Sequence, residues 1–202
     1  MVKLLSIIFL LIWLNCFSQT DKIEKVSIES VHYMNEERFF AEDKKSLGNV
    51  KLYKIDNISL LEMINKSEKK LKIVLFYGFW CPPCKEMLPK LIELSKKNED
   101  NIDLFLITAE QDQRFDKVFS YLKQLNLDNP SFIIDTKKYG NEKKPFIRTE
   151  KLIQEICKEC DYEKMGFPSF IIYNQQNEMV FDATYENTNE YNYNQIEFNL
   201  RK

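Results

Sequence analysis

The chain is short of three kinds of residue, and each shortage closes a class of function. Histidine occurs once, at His32, among 202 residues. A histidine-cluster metal site is therefore excluded, and any Ser-His or Cys-His relay would depend on that one side chain. Glycine occurs four times, at Gly48, Gly78, Gly140 and Gly166, with no spacing that builds a phosphate-cradling loop. A basic excess is missing as well. Lys+Arg 29 against Asp+Glu 31 gives a net charge of −2, whereas nucleic-acid-binding chains normally carry a basic surplus. Apolar and aromatic residues, by contrast, are plentiful: 44% of the chain is hydrophobic, with 15 Phe and 10 Tyr. That composition supplies a full core and excludes global disorder. The length allows one domain with extensions. Chemistry is left to five cysteines.

The first cysteine falls in a leader-like segment. Lys3 supplies positive charge and residues 4–14 form an apolar run interrupted by Ser6. The run is shorter than the roughly 18–20 residues of a membrane span and suits the apolar region of a signal peptide. Cys16 and Ser18 place small residues at −3 and −1 of a cut before Gln19, so cleavage near Ser18 is expected. Lipidation of Cys16 is the competing exit, disfavoured because Trp13-Leu14-Asn15 lacks the small residues expected before such a cysteine. The expected mature chain is exported, for instance to a periplasm, without an integral membrane span. It retains Cys81, Cys84, Cys157 and Cys160 in a disulfide-permissive setting.

Those four form two C-x-x-C pairs. A four-cysteine zinc site is the weaker reading: the gap between pairs is far longer than in a zinc ribbon, and the first pair encloses two prolines. The flanks of that first pair are informative. Before it, Lys72-Ile73-Val74-Leu75-Phe76-Tyr77-Gly78-Phe79 reads as a buried central strand. After it, apolar residues at 87, 88, 91, 92 and 94 have helical spacing. Cys81 thus stands at a strand-to-helix junction, where unpaired N–H groups and the positive end of the helix dipole favour a thiolate. In such settings a thiol pKa falls from about 8.5 into the range of roughly 3.5–7.5. Pro82 and Pro83 suit the first helical turn, where no N–H is needed. Cys81 is expected to attack and Cys84 to resolve. The competing reading is a buried structural bridge.

The residues Phe76-Tyr77-Gly78-Phe79-Trp80-Cys81-Pro82-Pro83-Cys84-Lys85, with Pro89 in the following helix, resemble the thioredoxin superfamily. Gly166-Phe167-Pro168-Ser169 is similar to the family's segment in which a cis-proline packs against the active-site disulfide. Together with the leader, the sequence most resembles the exported branch typified by TlpA and ResA, over about residues 50–185. The resemblance implies an α/β thioredoxin fold, a central mixed β-sheet flanked by helices, at residues 50–202. An N-terminal extension (19–49) would precede it, and an insertion (139–165) would stand before the cis-proline. It also implies reversible dithiol–disulfide exchange with protein thiols and disulfides and with a redox partner protein. The bound peptide would meet Trp80, Pro82, Pro83, Phe167 and Pro168. No cofactor, metal or nucleic acid is implied. Copper carriage is disfavoured, since no histidine follows Cys84.

Three points qualify the resemblance. Pro-Ser-Phe-Ile-Ile occurs twice, at 130–134 and 168–172; Pro168 is preferred because Gly166 precedes it, while Asp128 fills that place before Pro130. The family's buried acid, six residues before the first cysteine, is replaced by Leu75, so a proton acceptor for Cys84 is absent or comes from elsewhere. Cys157 and Cys160 lie in an expected helix over 149–160, one turn apart. A local structural bridge or two quiet thiols is the simpler reading, and a second redox pair relaying electrons to Cys81 the sharper one.

The remaining expectations are a capping-box helix from Ser59 to about residue 69, strands at 50–55, 101–108, 132–135 and 178–183, and an amphipathic helix at 114–127. Asn174-Gln175-Gln176-Asn177 is the expected hairpin turn. Val26, Ile28 and Val31 hint at a strand, His32 reads as a surface or packing residue, and 185–202 shows no firm periodicity. The rival function is a non-catalytic exported binding module that keeps Cys81–Cys84 as a permanent bridge.

Overall fold

Every residue of Leu71–Tyr77 is buried. A strand sends alternate side chains to opposite faces, so a run of this kind belongs where both faces of a sheet are covered. The computed structural model describes residues 50, 52–127 and 130–202. Its elements in chain order are β1 (Leu52–Ile55), α1 (Asn57–Lys66), β2 (Leu71–Tyr77), α2 (Pro82–Lys97), β3 (Ile102–Thr108), α3 (Phe115–Gln124) and β4 (Ser131–Ile134). There follow the one-turn α4 (Thr136–Tyr139), α5 (Pro145–Ile156), β5 (Ser169–Tyr173), β6 (Met179–Asp182) and α6 (Asn189–Arg201).

The sheet order is β1-β4-β3-β2-β5-β6. β1, β4, β3 and β2 run parallel, while β5 pairs antiparallel with β2 and β6 antiparallel with β5. Alternation along β2 divides the core in two. Ile73, Leu75 and Tyr77 face a layer with Met87, Leu88 and Leu91 of α2, Val118 and Leu122 of α3, and Ile196 of α6. Val74 and Phe76 face the other layer, with Leu60 and Ile64 of α1 and Leu152, Ile153 and Ile156 of α5.

Several boundaries differ from the sequence expectations for local reasons. α1 begins at Asn57, because the carboxylate of Asp56 accepts from Ser59 N–H at 2.9 Å and caps the helix; Ser59 itself is buried within it. α5 begins at Pro145, the residue type suited to the first helical position, and ends at Ile156. Cys157 is already extended, so the expected helix over 149–160 is corrected: the two cysteines do not share a helical turn. The C-terminal segment without firm periodicity is the helix α6, capped by the Thr188 side chain. Its buried stripe combines Ile196 with Asn192 and Asn199, whose amides donate to Thr184 and Gln195 carbonyls. Buried asparagines hid the apolar period. The expected leader at 1–18, Cys16, the extension at 19–49, the hint of a strand from Val26 to Val31 and His32 lie outside the described residues.

Arg148 of α5 is fully buried. Its guanidinium donates to the Ala109 carbonyl, to Gly140 O at 3.3 Å and to Glu142 O at 2.6 Å. One side chain therefore ties the 139–165 segment to the loop leaving β3. Arg148→Met is expected to destabilise the fold by about 3 kcal/mol, since it strands buried carbonyls. A lowered urea midpoint with unchanged slope would show this, and a midpoint equal to that of the unsubstituted chain would contradict it.

Candidate functional site

Three chain segments meet at one edge of the sheet. β2 ends at Tyr77 and leads through Gly78-Phe79-Trp80 to Cys81; β3, its parallel neighbour, ends at Thr108 and leads to Glu110; antiparallel β5 begins at Ser169, just after Phe167-Pro168. Ligands of α/β sheets characteristically bind outside the carboxyl ends of parallel strands.

Cys81 is the N-cap of α2, and Pro82 and Pro83 fill the first helical positions. The Cys81 amide donates to Gly78 O at 3.0 Å, and the Cys84 N–H points to Cys81 Sγ at 3.2 Å. The sulfur thus occupies the place where a helix N-terminus receives an anion. Cys81 and Cys84 form a disulfide with Cα atoms 5.2 Å apart. Cys81 is 2% exposed and Cys84 is fully buried, so of the pair Cys81 is the one that reaches the surface. Phe167 O lies 3.2 Å from Cys81 Sγ, placed to accept from the thiol after reduction. The Phe167–Pro168 peptide is cis.

Trp80 is 38% exposed and meets the Phe167 ring edge-on, centroids 5.8 Å apart. Its indole folds back over Gly78, where an added Cβ would come within 2.8 Å of the ring. A side chain at this position would displace the indole. Trp80 Nε1–H donates to Glu110, a buried carboxylate that also pairs with Arg114 at 3.2 Å. The Arg114 guanidinium in turn covers the Phe79 ring at 4.6 Å. Burial pushes the Glu110 carboxyl above the usual carboxylate range, against the opposing pull of Arg114, Trp80, Arg148 and Lys117. Leu75, six residues before Cys81, packs in the same apolar layer as Cys84. The buried carboxylate beside Trp80, Glu110, comes from the end of β3.

The structure brings together Cys81, Cys84, Trp80, Phe167 and Pro168. Pro82 and Pro83 are exposed at the same helix end, and Pro83 borders a groove of about 480 Å³ between α2 and α6. Cys157 and Cys160 do form a disulfide, Cα atoms 5.5 Å apart. They are buried with Ile156, Met165 and Tyr173 in the layer on the opposite face of the sheet from Cys81–Cys84. Glu110 and Phe146, which stacks on Phe167 at 4.7 Å between centroids, were not singled out in the sequence. A carboxylate directly after an apolar strand was the available signal for Glu110. Phe146 had none, because the expected helix began after it. Among the described residues, no group of His, Cys, Asp and Glu is arranged to hold a metal ion.

Residues 51–121 match the thioredoxin family model. The match spans β1 through most of α3, including both cysteines of the first pair. With the sheet order and flanking helices, it makes this a thioredoxin fold. Thioredoxin Y, chloroplastic, from Oryza sativa subsp. japonica is 44% identical over 50 residues, 25% of this chain and 29% of that protein. Thioredoxin from Borreliella burgdorferi is 42% identical over 41 residues, 20% of this chain and 35% of that one. The chain thus spans about a third of the length of these relatives. Among solved structures, a thiol:disulfide interchange protein from Chlorobium tepidum TLS aligns with TM-score 0.47 and 17% identity, over 66% of this chain and 81% of that one. The thioredoxin domain of a Bacteroides vulgatus thiol-disulfide oxidoreductase aligns with TM-score 0.48 and 15% identity, over 68% and 82%.

A carboxyl whose pKa is higher in the folded than in the unfolded chain contributes stability at acid pH and loses it as pH rises through the raised value. Relative to Glu110→Gln, the unsubstituted chain is therefore expected to lose stability as pH climbs from the ordinary carboxylate range toward neutrality. Urea midpoints across that range measure it, and a pH-independent difference would count against a raised Glu110. Separately, Cys157→Ser/Cys160→Ser is expected to leave the Cys81–Cys84 reduction potential unchanged, because the pairs occupy opposite faces. A shifted potential would favour the relay.

Proposed function

We propose that this chain is a thiol–disulfide oxidoreductase that reduces protein disulfides in an exported compartment. The observation that carries the reading is Cys81 Sγ at the N-terminus of α2, accepting the Cys84 N–H beside the half-buried Phe167-Pro168 segment. A thiolate there is stabilised by helix-end N–H groups and needs no histidine or metal.

In the reducing direction, the Cys81 thiolate attacks one sulfur of a substrate disulfide. A Cys81–substrate bond forms as the substrate S–S bond breaks, and the departing sulfur leaves with the bonding pair and takes a proton from solvent. The Cys84 thiolate then attacks Cys81 Sγ, and the second substrate thiolate departs. Two electrons have moved to the substrate, leaving Cys81–Cys84 oxidised for a redox partner protein to reduce. The reducing direction follows the resemblance to the exported TlpA/ResA-like branch. Export rests on the apolar run at 4–14 and the small residues before Gln19. Among the described residues no helix is long and apolar enough to cross a membrane.

The near-complete burial of both sulfurs favours the rival reading, a non-catalytic docking module with a permanent bridge. Insulin reduction separates the two. The dithiol-regenerated chain is expected to turn insulin over, Cys81→Ser to lose at least ~100-fold in rate, and Cys84→Ser to accumulate a mixed disulfide through Cys81. Equal background rates for the unsubstituted chain and Cys81→Ser would contradict the oxidoreductase reading.

A further inference from the structure

We propose that Phe146, in the first turn of α5, forms the outer wall of the substrate site and selects peptides with a large apolar side chain next to the reacting cysteine. The inference rests on the oxidoreductase reading above and concerns which substrates it takes. Seven large hydrophobic side chains are exposed among the described residues: Ile58, Trp80, Phe146, Val180, Tyr185, Tyr191 and Phe198. Two of them rest on the same ring. Trp80 meets one side of Phe167 edge-on, and Phe146 lies tilted against it at 4.7 Å, 42% exposed. Phe167 is also the residue whose carbonyl stands 3.2 Å from Cys81 Sγ. The aromatic cluster is therefore centred on the residue whose carbonyl faces the sulfur that the substrate must reach.

Phe146 is not there to fill the core. The buried face of α5 is made by Arg148, Thr149, Leu152, Ile153 and Ile156, and Phe146 projects beyond it. Its position is nonetheless fixed, because Arg148 holds the start of α5 to the Ala109 carbonyl, and the next residue, Glu110, holds Trp80. Both outer rings thus stand on segments tied to the loop leaving β3. A preordered wall costs little entropy on binding. Once a substrate cysteine sits on Cys81, an extended peptide advances roughly 3.3 Å per residue, so a flanking side chain falls over these rings. Aromatic and aliphatic side chains gain most from such a surface, through area removed from water and ring–ring contact.

The test uses symmetric disulfides of short peptides, identical except for Phe or Ser on one or the other side of the cysteine. Single-turnover reduction by the dithiol form of the full chain is followed by release of peptide thiol. The Phe peptide is expected to exceed the Ser peptide by roughly two- to tenfold on one of the two sides, expressed in half-saturation rather than in maximal rate. Phe146→Ala is expected to remove that advantage and Phe146→Leu to retain part of it. Selectivity that survives Phe146→Ala, or no selectivity on either side with reduction intact, would overturn this inference alone. Absence of reduction for every peptide would overturn it together with the oxidoreductase reading.

Discussion

The site depends on one junction: the central strand β2 stops at the point where α2 starts, and the sulfur of Cys81 caps that start. A strand buried on both faces cannot drift in register, because a slip of one residue would exchange Leu75 and Tyr77 for Val74 and Phe76 between two unlike layers. The position of Cys81 is therefore set by the most constrained element of the sheet. The helix that follows supplies unpaired N–H groups at the sulfur, one of them seen in the 3.2 Å approach of the Cys84 amide.

Around that junction the sheet order brings in residues distant in sequence. β3 lies parallel beside β2, so its carboxyl end delivers Glu110 to Trp80; β5 lies antiparallel on the other side, so its beginning delivers Phe167 to Cys81. The two disulfides illustrate the same geometry in reverse. Cys160 is near Pro168 along the chain, yet the 157–160 bridge is packed beneath α5 on the opposite face.

Much of this was legible before any coordinates. The apolar stretch at 72–79, the helical spacing after Cys84 and the two prolines between the cysteines carried the strand, the helix and the capped sulfur, since burial and helix-end chemistry leave local marks. What stayed hidden depended on contacts between remote segments. Asp56, not Ser59, caps α1. α6 hides its inward face behind Asn192 and Asn199. Glu110 reaches Trp80 only through the pairing of β2 with β3, and Phe146 reaches Phe167 only through the placement of α5. Hydrophobic periodicity records burial and has no signal for an exposed aromatic placed beside a sulfur.

On the function proposed above, the N-terminus of α2 makes Cys81 a nucleophile. The direct measurement is the pH titration of the Cys81 thiolate in the reduced chain, by ultraviolet absorbance with Cys81→Ser as blank. The account predicts a midpoint well below the ordinary thiol value of about 8.5, within the range of roughly 3.5–7.5 reached at such helix ends. A midpoint at or above the ordinary value would contradict it.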